Sequence, residues 1–318
     1  MKQKLLAVFQ SPTIDKPIIA MILLLFGVFL LALQDVTVKL IAPETSFWQF
    51  QTLRSISNGL FLAGLALFSG GFGILAPKNW RPVYFRASML TLCMFCFFSG
   101  APFLTVAQMA TGLYTYPLFV SLLAGPMLGE RVGPWRIAAL VIGAIGAGLI
   151  LDPFDASFSL VQLLPVAAGF FYACNILILR HACRHETVLS LVMAVAVLFA
   201  SSGLLGISLL TLFPFTADLE TRMPFVAIGW PDLTLVVLTF AIFCSLLNLS
   251  GNICLARAYQ TADSSWLAPI DFTYLLFATF WGRVIFDTWP SQKAVTGMSL
   301  IAIAGILTVW REQRRLKG

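Results

Sequence analysis

The chain has 318 residues, of which 59% are apolar by type and only 11% are charged, with a mean hydropathy of +0.91. A soluble domain carries roughly 25% charged residues to cover its surface, so a soluble enzyme, a disordered chain and a nucleic-acid binder are all excluded as readings. The formal charge of +6 then belongs to the cytoplasmic loops of a membrane protein, and six scattered cysteines do not make a disulfide framework.

About 20 apolar residues are needed to cross roughly 30 Å of hydrocarbon. Polar and turn-forming clusters divide the chain into ten such segments: Pro17–Gln34, Phe47–Phe68, Tyr84–Phe98, Phe103–Leu128, Trp135–Leu151, Leu160–Leu179, Val188–Phe213, Leu233–Ala256, Ser265–Phe286 and Ala294–Trp310. Backbone polar groups in lipid must be satisfied within the chain, and the pattern lacks the alternation of a β-barrel. The fold expected is an all-α membrane protein of ten transmembrane helices. Lys2, Lys4 and Lys16 precede the first segment and no small-residue cleavage site follows it, so it reads as a retained anchor.

With the N-terminus inside, the inner loops hold Lys2, Lys4, Lys16, Lys78, Arg81, Arg86, Arg131, Arg136, Arg180, Arg184, Arg257, Arg311, Arg314, Arg315 and Lys317. The outer side holds only Lys39, Arg222, Arg283 and Lys293. Both termini are therefore expected in the cytoplasm, with the protein in the inner (cytoplasmic) membrane.

The chain also repeats itself with a slowly drifting offset. Glu44-Thr45 returns as Glu186-Thr187 at 142 positions. Cys93 and Ser99-Gly100 return as Cys244 and Ser250-Gly251 at 151, and Glu130 and Gly148 as Asp287 and Gly305 at 157. Two five-helix halves follow, residues 17–151 and 160–310. Because five is odd, the second enters from the opposite side, as in inverted-repeat transporters.

The stretch Tyr116-Pro-Leu-Phe-Val-Ser-Leu-Leu-Ala-Gly-Pro-Met-Leu-Gly-Glu-Arg-Val-Gly before a Gly-rich segment resembles the EamA repeat of the drug/metabolite transporter superfamily. So do Asp35–Lys39, Leu53-Arg54-Ser55 and Leu267-Ala-Pro-Ile-Asp-Phe-Thr-Tyr-Leu-Leu. The departures are Asp287, where the repeat usually reads Gly-Glu, and a polar loop at Pro214–Asp232. The resemblance implies a transporter with its fifth and tenth helices at the periphery. The branch it resembles carries solutes as different as amino acids, S-adenosylmethionine and riboflavin.

Ionisable groups inside a bilayer cost several kcal/mol and mark cavities or partners. Arg54 falls near mid-depth of the second segment and Asp271 well inside the ninth. Asp35 and Lys39 share one helix face four residues apart, as an ion pair or a gate. Pro117 and Pro269 interrupt corresponding helices, the pattern that points to a transporter site. Polar groups gather around them: Gln108, Thr111 and Tyr114 in the fourth segment, and Trp266 and Tyr274 in the ninth. Tyr172 and Asn175 in the sixth and Asn248 in the eighth join them. The expected site is a mid-membrane pocket in which Arg54 holds an anionic group and Asp271 a cationic one. That suits an amino-acid-like or other zwitterionic solute, with a proton on Asp271, sodium, exchange and facilitated diffusion all open as the driving mode.

No Walker-type phosphate loop, Gly-x-Ser-x-Gly or His-Glu-x-x-His occurs, so neither ATP-driven transport nor a recognised hydrolase is indicated. Cys93-x-x-Cys96 lies in an apolar segment, and His181 and His185 flank Arg184. No metal or cofactor is expected. The partners expected are the small-molecule substrate and the lipid bilayer, with no nucleic acid. The alternative readings are a lipid-linked-group flippase and an integral-membrane enzyme.

Overall fold

A computed structural model describes residues 17–69, 71–128, 134–151, 159–183, 186–261, 267 and 270–316, and contains no strand among them. In chain order the helices are α1 (Pro17–Ile41), α2 (Phe47–Ser69), α3 (Trp80–Ser99), α4 (Val106–Leu113), α5 (Tyr116–Leu128), α6 (Pro134–Leu151), α7 (Leu164–Ala182) and α8 (Val188–Leu212). Two short helices follow, α9 (Ala217–Arg222) and α10 (Pro224–Ala227), then α11 (Leu235–Thr261), α12 (Thr273–Phe286) and α13 (Gln292–Leu316). Among the described residues, five stretches are long and apolar enough to cross a bilayer: Ile18–Glu44, Trp80–Ser99, Leu160–Leu179, Val188–Leu212 and Leu235–Leu255.

Helix α2 is as long, but its polar residues make it less apolar, and they face inward. Gln49, Gln51, Thr52, Arg54, Ser55 and Asn58 are all buried, while Ile56 and Leu60 on the same helix are 48% and 68% exposed. A water-soluble helix does the reverse. Polar groups turned inward and apolar groups turned outward are what lipid demands.

Two expectations change. Helix α1 runs to Ile41 rather than ending at Gln34, because Val36, Val38 and Ile41 continue its buried face. Asp35 and Lys39 thus lie within it. The expected fourth segment is two helices, α4 and α5, broken at Tyr114–Thr115. Pro117 explains the break: a proline ring clashes with the carbonyl four residues earlier, here that of Leu113. Thr115 covers the freed end by donating from Oγ1 to the Gly112 carbonyl at 2.7 Å. Helix α4 begins cleanly because Thr105 and Gln108 form a reciprocal capping box.

Packing brings helices distant in the chain together. Helix α1 lies on α11 and α12, α2 on α8 and α11, α3 on α7 and α8, α7 on α4 and α5, α4 on α12, and α6 on α13. Two of these contacts need glycine. A Cβ at Gly27 would stand 3.0 Å from the Gly251 carbonyl, and one at Gly146 only 2.8 Å from that of Gly297. The close approach of α1 to α11 and of α6 to α13 depends on their absence.

The polar segment after α8 is not an open loop. It folds through α9 and α10, burying Phe225 and Ala227. Phe225 meets Phe47 with ring centroids 6.2 Å apart. Asp287 closes α12 with a left-handed φ of 55°, a position where glycine is usual and a short acid is tolerated.

Candidate functional site

A cavity of about 260 Å³ lies among α1, α2, α3, α7, α8, α11, the α4–α5 break and the start of α12. Its polar lining includes Asp35, Arg54, Arg86 and Asp271, four tyrosines, and the amides of Gln34, Asn58, Asn175, Asn248 and Asn252. Two carboxylates and two guanidiniums therefore share one space.

The α4–α5 break sets the tyrosines. Tyr114 caps α4 and stacks on Tyr274 of α12, with centroids 5.0 Å apart and planes at 12°. Its hydroxyl donates to the Asp271 backbone carbonyl at 3.1 Å. Tyr116, the first residue of α5, donates to Asp271 Oδ2 at 3.2 Å and meets the Tyr172 ring edge-on at 5.0 Å. Asp271 is thus held from both sides of the helix break.

At the other carboxylate, Asp35 accepts from Gln34 Nε2 at 2.7 Å and from the Tyr274 hydroxyl. Asn248 Nδ2 of α11 donates to Gln34 Oε1 at 2.7 Å. Arg54 is 2% exposed. It donates through Nη2 to Gln51 Oε1 at 2.8 Å and lies over the rings of Phe98 and Phe199. Its Nε and Nη1 have no acceptor among the described residues. Asp35 is within electrostatic reach of Arg54, though the two make no direct ion pair.

Of the residues expected at the site, Arg54, Asp271, Tyr114, Tyr172, Asn175, Asn248, Tyr274 and Asp35 line the cavity. Lys39 does not, and its pairing with Asp35 is not made. Its ammonium instead donates to the carbonyls of Ala101 and Leu104, the latter at 2.7 Å, and stands over Phe286. These contacts fasten the end of α1 to the α3–α4 turn. Gln108 and Thr111 point away, into a small crevice with Ala147, Ile150, Gln162 and Val166. Gln108 serves the capping box, and Thr111 donates to the Ala107 carbonyl. Trp266, Pro269 and His185 lie outside the described residues.

Among the polar cavity residues, Gln34, Asn58 and Arg86 were not expected there. Arg86 had been placed among the inner loops, but it sits on α3 with its Nε buried and without an acceptor. The sequence signal is present in hindsight, since Arg86 heads an apolar run reaching Phe98.

The model of the EamA-like transporter family matches residues 18–152. The chain carries an EamA domain. This domain supplies Asp35, Arg54, Arg86, Tyr114 and Tyr116 to the cavity. The chain is similar to a riboflavin transporter of Vibrio cholerae, 28% identical over 64% of this chain and 62% of that one. It is also similar to a riboflavin transporter of Rhizobium johnstonii, 27% identical over 91% and 89%. A solved crystal structure shares the fold at a TM-score of 0.56 and 17% identity, covering 92% of this chain and 96% of that one. Beyond its EamA domain, then, the chain resembles proteins named as transporters.

Proposed function

We propose that this protein is a secondary transporter that carries a small organic solute through the cytoplasmic membrane by alternating access. The observation that carries the reading is the cavity: about 260 Å³ of space in which two acids, two arginines and four tyrosines converge among apolar helices. A scaffold gains nothing from burying such groups. The paired charges favour a zwitterionic, amino-acid-like solute, and Asp271 is the group proposed to take a coupling proton.

The ten-helix inverted repeat is part of the proposal. Its support is a symmetry of packing when α4, α5 and the break between them are counted as one span. Exchange of the two halves turns the α1–α11 contact into α7–α3, the α1–α12 contact into α7 with α4 and α5, and the α2–α11 contact into α8–α3. The contacts α2–α8, α4–α12 and α6–α13 map onto themselves. A two-fold pseudosymmetric transporter has this pattern. Lys78, Arg81 and Arg180 mark the proposed cytoplasmic face.

A second reading, a flavin-like planar solute, is favoured by the stacked Tyr114–Tyr274 pair and by the names of the two relatives. Uptake into proteoliposomes of labelled amino acids, nucleoside derivatives and vitamins, riboflavin included, decides between them. For the solute carried, Asp271→Asn is expected to lower uptake at least about tenfold, the order expected for losing a charged hydrogen-bonding group. Wild-type rates from a folded, inserted Asp271→Asn protein would remove the cavity from the transport path.

A further inference from the structure

Of the two arginines in the cavity, one is almost wholly covered by the protein itself. Arg54 has a carboxamide acceptor in Gln51, two aromatic faces, the charge of Asp35 nearby, and almost no exposed surface. Arg86 has none of these. It forms no ion pair among the described residues and is half-buried where Arg54 is closed off; an orphaned Nε is common to both. It lines the same cavity on α3, the helix packed along α7.

Position separates the two further. Phe98, over which Arg54 lies, is twelve residues after Arg86 on α3, about 18 Å along a helix at 1.5 Å per residue. Arg54 and Arg86 therefore stand at opposite ends of the cavity. Tyr172 of α7 is within electrostatic reach of both Arg86 and Asp271. Its ring meets Tyr116, and the Tyr116 hydroxyl holds Asp271. One turn further along α7, Asn175 also lines the cavity, with its Oδ1 buried and without a donor. The two ends of a zwitterion match the Arg86 guanidinium and the Asp271 carboxylate that line this one space.

Resting on the transporter reading, we infer that the solute's anionic group is held by Arg86 and its ammonium by Asp271. Arg54, with Asp35, is a fixed internal charge couple of the scaffold. Arg86 is thus the specificity-determining residue that separates a zwitterion from the amine lacking its carboxylate. Neutralising Arg86 removes that preference while leaving the amine's own affinity in place.

The test uses the full-length protein in detergent, with calorimetric binding of L-leucine and L-phenylalanine and of their decarboxylated counterparts, isopentylamine and phenethylamine. Wild type is expected to prefer the zwitterions by about tenfold to a hundredfold, the range for one charge-assisted hydrogen-bonded contact. Arg86→Gln brings the ratio close to one, Arg86→Lys restores part of it, and Arg81→Gln, an exposed residue on the same helix, leaves it unchanged. Size-exclusion profiles and melting temperatures matched to wild type establish folding. A wild-type ratio retained in Arg86→Gln would overturn the assignment. So would a wild-type protein that binds none of the four probes or does not discriminate. In either case the uptake panel above still decides whether the protein transports a solute.

Discussion

At the face where α1 ends and α2 begins, buried side chains reach across to the segment that follows α9. Ser46 Oγ donates to the Gly229 carbonyl at 2.7 Å, Trp48 Nε1 to that of Val226 at 2.8 Å, and Gln49 Nε2 to that of Pro231 at 2.7 Å. At the opposite face, the loop between α2 and α3 is fastened to the α7–α8 turn by groups in water. Glu186 accepts from the backbone N–H of Lys78 and Asn79 at 3.0 and 2.8 Å, and Thr187 Oγ1 donates to the Ile74 carbonyl at 3.0 Å. The cavity follows the same asymmetry. Its lining comes within three residues of the ends of α7 and α8 at the Glu186 face, through Leu179 and Leu191. On the Ser46 side it stops at Arg54, seven residues into α2. Buried bonds lose their full value when broken, whereas exposed ones exchange for water. The structure therefore has one dry, strongly tied face and one lightly tied face, and a transporter must open each in turn.

Removing Trp48 is the strongest way to break this difference. Its indole packs on Phe47 and Phe95 with centroids 5.2 and 5.4 Å away, and a Cβ on Gly206 would stand 2.2 Å from the ring. Trp48→Ala is expected to cost about 3–5 kcal/mol, the range for truncating a packed aromatic, read as a lowered melting temperature in detergent. Trp48→Phe keeps much of the ring and loses only the bond to Val226, about 1 kcal/mol. Equal stability of Trp48→Ala and wild type would mean that this face is not held by its core.

Gln49→Ala is the next test. Gln49 is fully buried, accepts from Thr45 Oγ1 and donates to Pro231. Its loss strands both partners, an expected cost of about 1–3 kcal/mol. It should also let an impermeant maleimide reach a cysteine placed at Asn58 from that side, in a background lacking the native cysteines. Unchanged labelling would show that the seal lies elsewhere.

What the sequence revealed follows from where each group's partners lie. An arginine or aspartate inside an apolar run is conspicuous, so Arg54 and Asp271 could be found, and the tyrosines beside a midspan proline came with them. Arg86 was hidden because it stands close to Arg81 and a proline, where a helix beginning looks like a loop ending. Lys39 was misassigned because pairing with Asp35 is a local rule, whereas the carbonyls it reaches are 62 and 65 residues away. Gln108 and Thr111 share a helix with the α4–α5 break, but composition does not say which side of α4 meets the cavity. The polar segment at Pro214–Asp232 looked merely divergent. Its work is done by the backbone carbonyls of residues 226–231, and no side-chain pattern encodes those.

Glu186 gives the smallest effect and the one that best sharpens the comparison, because its prediction depends on pH. Partial burial pushes its carboxyl up. The Lys78 and Asn79 backbone N–H groups, the Lys78 charge and Ser190 outweigh this, leaving it below the ordinary glutamate value of 4.5. A depressed folded value means stability that is complete above that ordinary value and lost as pH falls through the lower folded one. The group is mostly in water, so Glu186→Gln should cost no more than about 1 kcal/mol at neutral pH. The difference between variant and wild type should shrink below pH 4.5, as the wild-type carboxylate takes up its own proton. The Trp48 and Gln49 variants should keep their deficits across the same range, since neither side chain titrates. A melting-temperature series from pH 3.5 to 7 on the three variants reads this directly. A pH-independent Glu186→Gln deficit would mean that the lightly tied face is held by Thr187 and loop packing rather than by charge.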